Sequence, residues 1–440
     1  MNRTGNIGIV TNREIDRNLS IIKRGVWLYF FLLIFEGALR KWVLPTLSEP
    51  LLIVRDPLAL WLIFMAFKHN LFKPNSYVLL MWAATVLAFS MALIIGHENI
   101  KVALFGFRIT AFHFPLIFII GSVFNKDDVL HLGKMVLWLN IGMTLLVAAQ
   151  FFSPQSAFVN RGIGGDLEGS GFMGAAEFFR VPGTFSFTNG LAFFYSLAAA
   201  FIFYFWIVNI PNKSFKILLI LSSLALMAAI PLSISRTVLF QVLLTFIFML
   251  VISGSNIRIL PKIGIVVLTI GLMFTTMKDI SFFKTSSSAF TERFTSANEV
   301  EGGIEGVIVD RFLGGMYGSL TDESLPFWGM GMGMGTNVGA KILTGTNDIY
   351  LISEGEWGRV IGEMGVLLGF VVISIRISLV LHFFRKAWGA IGQGNVLPWM
   401  LLSFGMFIIL QGQWAQPTTL GFGVLIGGLI IASHQKNDEN

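Results

Sequence analysis

Apolar residues run along this chain in long blocks separated by short polar connections, and those blocks predict the architecture. They fall near 25–44, 51–68, 76–96, 101–124, 131–152 and 184–209, then near 214–233, 236–255, 259–277, 357–384, 396–413 and 417–433. About 20 apolar residues in helical form cross the hydrocarbon core of a bilayer. Barrel strands alternate in short segments instead, so unbroken runs predict helices. The expected fold is all-α, a polytopic transmembrane helical bundle of about 12 spans forming one integral membrane domain over residues 1–440. The second and last runs are the shortest, and tilted, re-entrant or merged spans are all open there.

Basic residues in the connections orient this bundle. Lys23 and Arg24, Lys68 and Lys73, Lys126 and Lys134, Lys213 and Lys216, Arg258 and Lys262, and Arg385 and Lys386 all fall on one side of a 12-span path. Short loops rich in lysine and arginine stay in the cytoplasm. Both termini are therefore expected inside. The first twenty residues lack the pattern of a cleavable leader, so the first helix is expected to serve as the insertion signal. Two long segments then face outward, 153–183 and 278–353. The second is long enough for a small extracytoplasmic subdomain, and long loops of this kind are commonly functional. No internal repeat is visible.

Composition sharpens the class. Of 440 residues 55% are hydrophobic and 13% charged, against about 25% charged in soluble domains. There is no cysteine, which excludes disulfides, thiolate catalysis and cysteine-held metals. The six histidines are scattered, so no metal or other cofactor is expected. A net charge of +6 belongs to basic loops beside anionic lipid, and no nucleic-acid-binding domain is present.

Charges that break the positive-inside pattern are the informative ones. Arg40 and Lys41 end the first span on the outer side, and Arg55 with Asp56 opens the second there. Arg108 sits one or two turns into the fourth span. Arg180 precedes the sixth span, and Arg236 stands at the outer turn before the eighth. Such residues cost several kcal/mol unless paired or solvated. Each has a structural reading: Glu36 and Arg40 are spaced to pair on one helix face, and Arg55 can snorkel. As a set they suit an anion such as phosphate, which arginine grips with a planar fork of donors. Arg376, in the tenth span, lies away from the others. His113 reads as a buried hydrogen-bonding residue.

Three segments carry candidate chemistry. Arg180-Val181-Pro182-Gly183-Thr184-Phe185 displays an arginine where proline and glycine break the chain. Ser233-Ile234-Ser235-Arg236-Thr237 offers hydroxyls and a guanidinium at a helix start, either an ordinary capped turn or a phosphate site. The run Gly329-Met330-Gly331-Met332-Gly333-Met334-Gly335 lacks the Lys-Ser/Thr of a nucleotide loop; it makes a tight turn or lets backbone approach a ligand. It is followed by Glu354, Glu356, Arg359 and Glu363. The last three share a helical face, where salt bridges alone can explain them, and Glu354 is placed to take a proton from a hydroxyl.

In this order and spacing, over roughly residues 180–370, these segments together with Arg311 in Arg-Phe-Leu-Gly-Gly and Glu363-x-Gly365 resemble the O-antigen polymerase and O-antigen ligase superfamily of Wzy-type membrane glycosyltransferases. That resemblance implies metal-independent, inverting glycan transfer from undecaprenyl pyrophosphate at the periplasmic face of a bacterial inner membrane. Arg180 and Arg236 would hold the pyrophosphate, with Arg359, Arg311, Arg108, Arg55 and Arg40 as further candidate contacts. Glu354 and Glu356 are the candidate catalytic carboxylates. The ligase branch has a histidine about nine residues before the glutamate of Glu-x-Gly; here that position is Glu354, which favours a polymerase. Expected partners are the lipid-linked donor, a glycan or lipid-linked acceptor, membrane lipids and a chain-length regulator. A ligase acting on another lipid or protein acceptor, and a flippase for a lipid-linked sugar, are the alternatives.

Overall fold

The computed structural model describes residues 4–175, 178–208, 210–255, 264, 285–288, 290–292, 314–322, 325–345, 353 and 355–435. The expected ninth span, near 259–277, lies almost wholly outside them, as does most of the segment 278–353. The described chain is nearly all helix. In chain order its main helices are α1 Thr4–Ala38, α2 Arg55–Lys68, α3 Ser76–Ile94, α4 Ile100–Arg108, α5 Leu116–Val123 and α6 Lys126–Phe152. There follow α7 Thr188–Val208, α8 Lys213–Leu232, α9 Arg236–Ser255, α10 Gly315–Thr321 and α11 Asn337–Thr344. The last three are α12 Glu356–Gly392, α13 Leu397–Gln411 and α14 Pro417–Ala432. A two-stranded antiparallel ribbon, β1 Phe172–Ala175 and β2 Phe178–Arg180, precedes α7.

Among the described residues, seven helices are long and apolar enough to cross a membrane, or eight if the bent pair Pro45–Leu51 and Arg55–Lys68 is one span. The chain is a multi-pass helical membrane protein. Several expected spans have other forms. The second is broken at a 42° bend. The eleventh and last become apolar helices of 15 and 16 residues, about 22–24 Å long at 1.5 Å per residue and short of a 30 Å core.

The tenth span differs most. Gly365, at φ 77° and ψ 171°, breaks α12 into a short arm, 356–364, and a long arm, 366–392. Arg376 on the long arm contacts Glu356 on the short arm at 2.6 Å. In a straight helix twenty residues span about 30 Å, so the arms fold back on each other. Gly369 accordingly lies against Ile361.

The glycine run makes the hairpin possible. Sharp bends orphan backbone groups that must find partners inside a membrane. Here Met330 N–H donates to Gly362 O at 2.8 Å, Gly331 N–H to Glu363 O at 3.1 Å, and Val366 N–H to Phe327 O at 3.1 Å. On its other side the run packs into α4, where a Cβ at Gly333 would strike the Val102 carbonyl. The glycines let backbone approach backbone, joining α12 to α4.

Candidate functional site

A buried charged layer occupies one end of the bundle. Contacts between helices fix its depth. Gln241 of α9 donates to Ser403 O of α13 at 2.7 Å. Arg236 lies five residues beyond Gln241 and Ile409 six beyond Ser403, rises of about 7.5 and 9 Å. Arg376 Nε donates to Ile409 O at 2.7 Å and Nη2 to Gly412 O at 2.9 Å. Phe193 of α7 packs between Phe404 and Phe422, which sets the starts of α7 and α14 at the same level. Arg55 Nη2 meets that level at Pro417 O, 2.7 Å, and Arg40 Nη1 meets it at Ser186 Oγ, 3.0 Å.

Two ion clusters build the layer. In the first, Glu36 accepts from Arg55 Nε at 3.3 Å and lies 3.5 Å from Arg40. Asp56 receives Arg108 Nη1 on both oxygens, at 2.9 and 3.0 Å, and His113 Nε2 at 2.9 Å. His113 Nδ1 reaches Tyr29 OH at 3.1 Å. His113 is thus buried and bridging, in the role the sequence suggested. Arg40 and His113 lie in π-helical segments, Leu39–Val43 and Ile109–His113; such widened turns are common at functional sites.

In the second cluster Glu356 accepts Arg359 Nε at 2.9 Å, Arg359 Nη2 at 3.0 Å and Arg376 Nη1 at 2.6 Å. Glu363 accepts Arg359 Nη1 and the Gly335 N–H, the latter at 2.7 Å. The Arg376 guanidinium lies 4.0 Å from the Trp414 ring centroid. These side chains wall a small cavity with Thr110 and Met332. Glu356 therefore sits at the foot of the short arm, held against the long arm, where a single span near 357–384 was expected. Its lone pairs are committed to two arginines.

Irregular backbone at membrane depth is tolerated only when protein satisfies it. Residues 181–186, between β2 and α7, are all buried. Lys41 Nζ donates to Gly183 O at 2.6 Å and Phe185 O at 2.9 Å. Gln150 accepts the Gly183 N–H at 2.9 Å, and Thr184 Oγ1 donates to Ile34 O at 2.7 Å. The segment is clamped by α1 and α6. Arg180 ends β2 immediately before it and is half-buried. Arg236 is also half-buried; it opens α9 after a turn in which Ile234 takes φ 46°.

The structure thus sorts the candidate residues. Arg40, Arg55, Arg108 and Arg359 are buried in ion pairs with carboxylates, while Arg180 and Arg236 keep partial exposure at chain breaks. Arg311 and Glu354 lie outside the described residues. Sequence reading passed over Gln150 and the clamping role of Lys41. An amide inside an apolar helix was the available signal for Gln150.

Among the described residues five buried arginines, Arg40, Arg55, Arg108, Arg359 and Arg376, pair with the buried carboxylates Glu36, Glu356 and Glu363 and with Asp56, while Lys41 donates to backbone carbonyls. Cations outnumber carboxylates among these residues. The fold and this layer define a multi-pass α-helical membrane protein with a cation-rich site at one end. No protein-family model matches the chain, and no curated protein is significantly similar to it.

Proposed function

We propose that this protein is a membrane glycosyltransferase that moves a glycan from a lipid-linked pyrophosphate, undecaprenyl pyrophosphate in a bacterial inner membrane, to a sugar hydroxyl at the outer face. One observation carries the reading: a cation-rich layer at a single depth, with Arg236 at that depth on a helix start and partly exposed. A departing pyrophosphate gathers negative charge, and fixed donors aimed at it lower the barrier most in a water-poor site. Arg236 and Arg180 are the proposed pyrophosphate contacts. The buried arginines supply the field and hold the helices that present them. Glu354 is the proposed base. Glu356 is proposed to position that arm. The polymerase reading is preferred to a ligase because Glu354 stands where the ligase branch has histidine.

The broken helices also support a second reading, a carrier for the same lipid-linked sugar, since transporters bind substrate at discontinuous helices. Purified protein in lipid, given an undecaprenyl-pyrophosphate oligosaccharide, separates them. The proposal expects longer glycan chains, reduced about a hundredfold in rate by Arg236→Gln. Movement of the donor between leaflets with no new glycosidic bond would replace it with the carrier reading.

A further inference from the structure

From the level of Arg376 toward the far end of α12 runs a groove between α3 and α12, lined by Tyr77, Ser374, Ser378, Leu381, His382 and Arg385 and enclosing about 320 Å³. Ser374, Ser378, His382 and Arg385 form one stripe along α12 and all are exposed. The spacing of four, four and three residues keeps them on one helix face. A polar stripe on the outward face of a membrane helix is costly if it meets only acyl chains. Tyr77 OH, 3.3 Å from Ser378 Oγ, ties the stripe to α3, and the Tyr77 ring packs edge-on to His382.

Charge is one-sided here. Arg385 and Lys386 are exposed and make no salt bridge among the described residues. His434, just past α14, lies nearby; burial, then Lys386 and His382, push its imidazole down to about 4. Its Nε2 is buried without a hydrogen-bond partner. Such a field disfavours another cation and favours an anion. Below it the groove continues over Leu381 and Ile377 toward the hydrocarbon.

We propose that this groove binds one anionic phospholipid of the adjoining leaflet, its phosphate on Arg385, Lys386 and His382 and one acyl chain along Leu381 and Ile377. Basic pockets between membrane helices hold anionic headgroups in this way. The assignment does not rest on the proposed transferase activity: its phosphate contacts, Arg385 and Lys386, lie nine and ten residues past Arg376, about 14–15 Å along α12 from the charged layer.

Native mass spectrometry on the full chain, titrated with phosphatidylglycerol or phosphatidylethanolamine, tests it. The expected result is one retained phosphatidylglycerol, bound at least about tenfold more weakly by the Arg385→Gln/Lys386→Gln protein. Phosphatidylethanolamine should show no such site. Lys68→Gln/Lys73→Gln, at the same end, is the control for general surface charge, and a thermal melt verifies that both double variants fold. Equal retention of the two lipids, or equal losses in both double variants, would overturn the site. Displacement of phosphatidylglycerol by millimolar inorganic phosphate would assign it to a free anion and overturn the lipid reading.

Discussion

Arg376 and Glu356 are twenty positions apart in one continuous apolar stretch, yet their side chains meet at 2.6 Å. The contact holds the short arm of α12 against the long arm, and it brings Arg376 into the layer occupied by Arg40, Arg55 and Arg236. The sequence pattern had left Arg376 as an outlier. A buried ion pair adds little net stability, because desolvation offsets attraction; removing one partner alone is expensive. The pair therefore specifies which arms meet, and that leads to the first expectation.

Glu356→Gln and Arg376→Gln should each destabilise the protein by about 3–5 kcal/mol, and the double variant by clearly less than their sum. Thermal or denaturant unfolding in detergent measures this. Additive losses would mean that the two side chains do not meet.

The hairpin itself is open to a direct check, since the chain has no native cysteine. Val360 and Val372 line one cavity, although a straight helix would hold their Cα atoms about 18 Å apart. Val360→Cys/Val372→Cys should cross-link with a short bismaleimide at high yield. A control pair on the long arm, Val372→Cys with Phe384→Cys, has the same spacing and should not. Absence of cross-linking in the first pair would restore a straight span.

Gly365 stands at positive φ with the Phe327 carbonyl and Trp328 against it. Gly365→Ala adds left-handed strain of about 1–3 kcal/mol and a clash with backbone. It should lower the melting temperature more than Gly389→Ala, a site where an added Cβ meets nothing. Equal melting temperatures would refute the tight approach of the glycine run.

Lys41→Met should remove the donor to Phe185 O and one of the two donors to Gly183 O, which keeps Gln150 Nε2 at 3.2 Å, at a cost of about 1–3 kcal/mol. If the clamped segment positions Arg180 for the donor, transfer should fall further than the lost stability accounts for at a temperature where the variant is folded. Activity in strict proportion to folded protein would make the clamp structural only.

Much of the architecture was legible in the sequence because burial in lipid is written locally. A run of about 20 apolar residues declares a helix whatever its neighbours do. Charges within such runs declare themselves in the same way, so Glu36, Arg40, Arg55, Arg108, Arg359 and Glu363 stood out before any fold was known. Pairings at helical spacing, Glu36 with Arg40 and Arg359 with Glu356 and Glu363, also follow from local geometry.

The sequence by itself determined a helical membrane protein, its approximate helix positions and an unusual set of arginines at helix ends. Only the tertiary structure decided that the Glu356–Gly392 stretch is a hairpin, that the glycine run satisfies its broken backbone, and that Arg376 faces Glu356. It alone brought Asp56 to both Arg108 and His113, and Lys41 to the carbonyls of Gly183 and Phe185. The reason is physical. Hydropathy is a sum along the chain and does not register direction, so a span and a folded-back arm score alike. Partners of buried charges are chosen by proximity in space, across as many as 362 positions between Arg55 and Pro417.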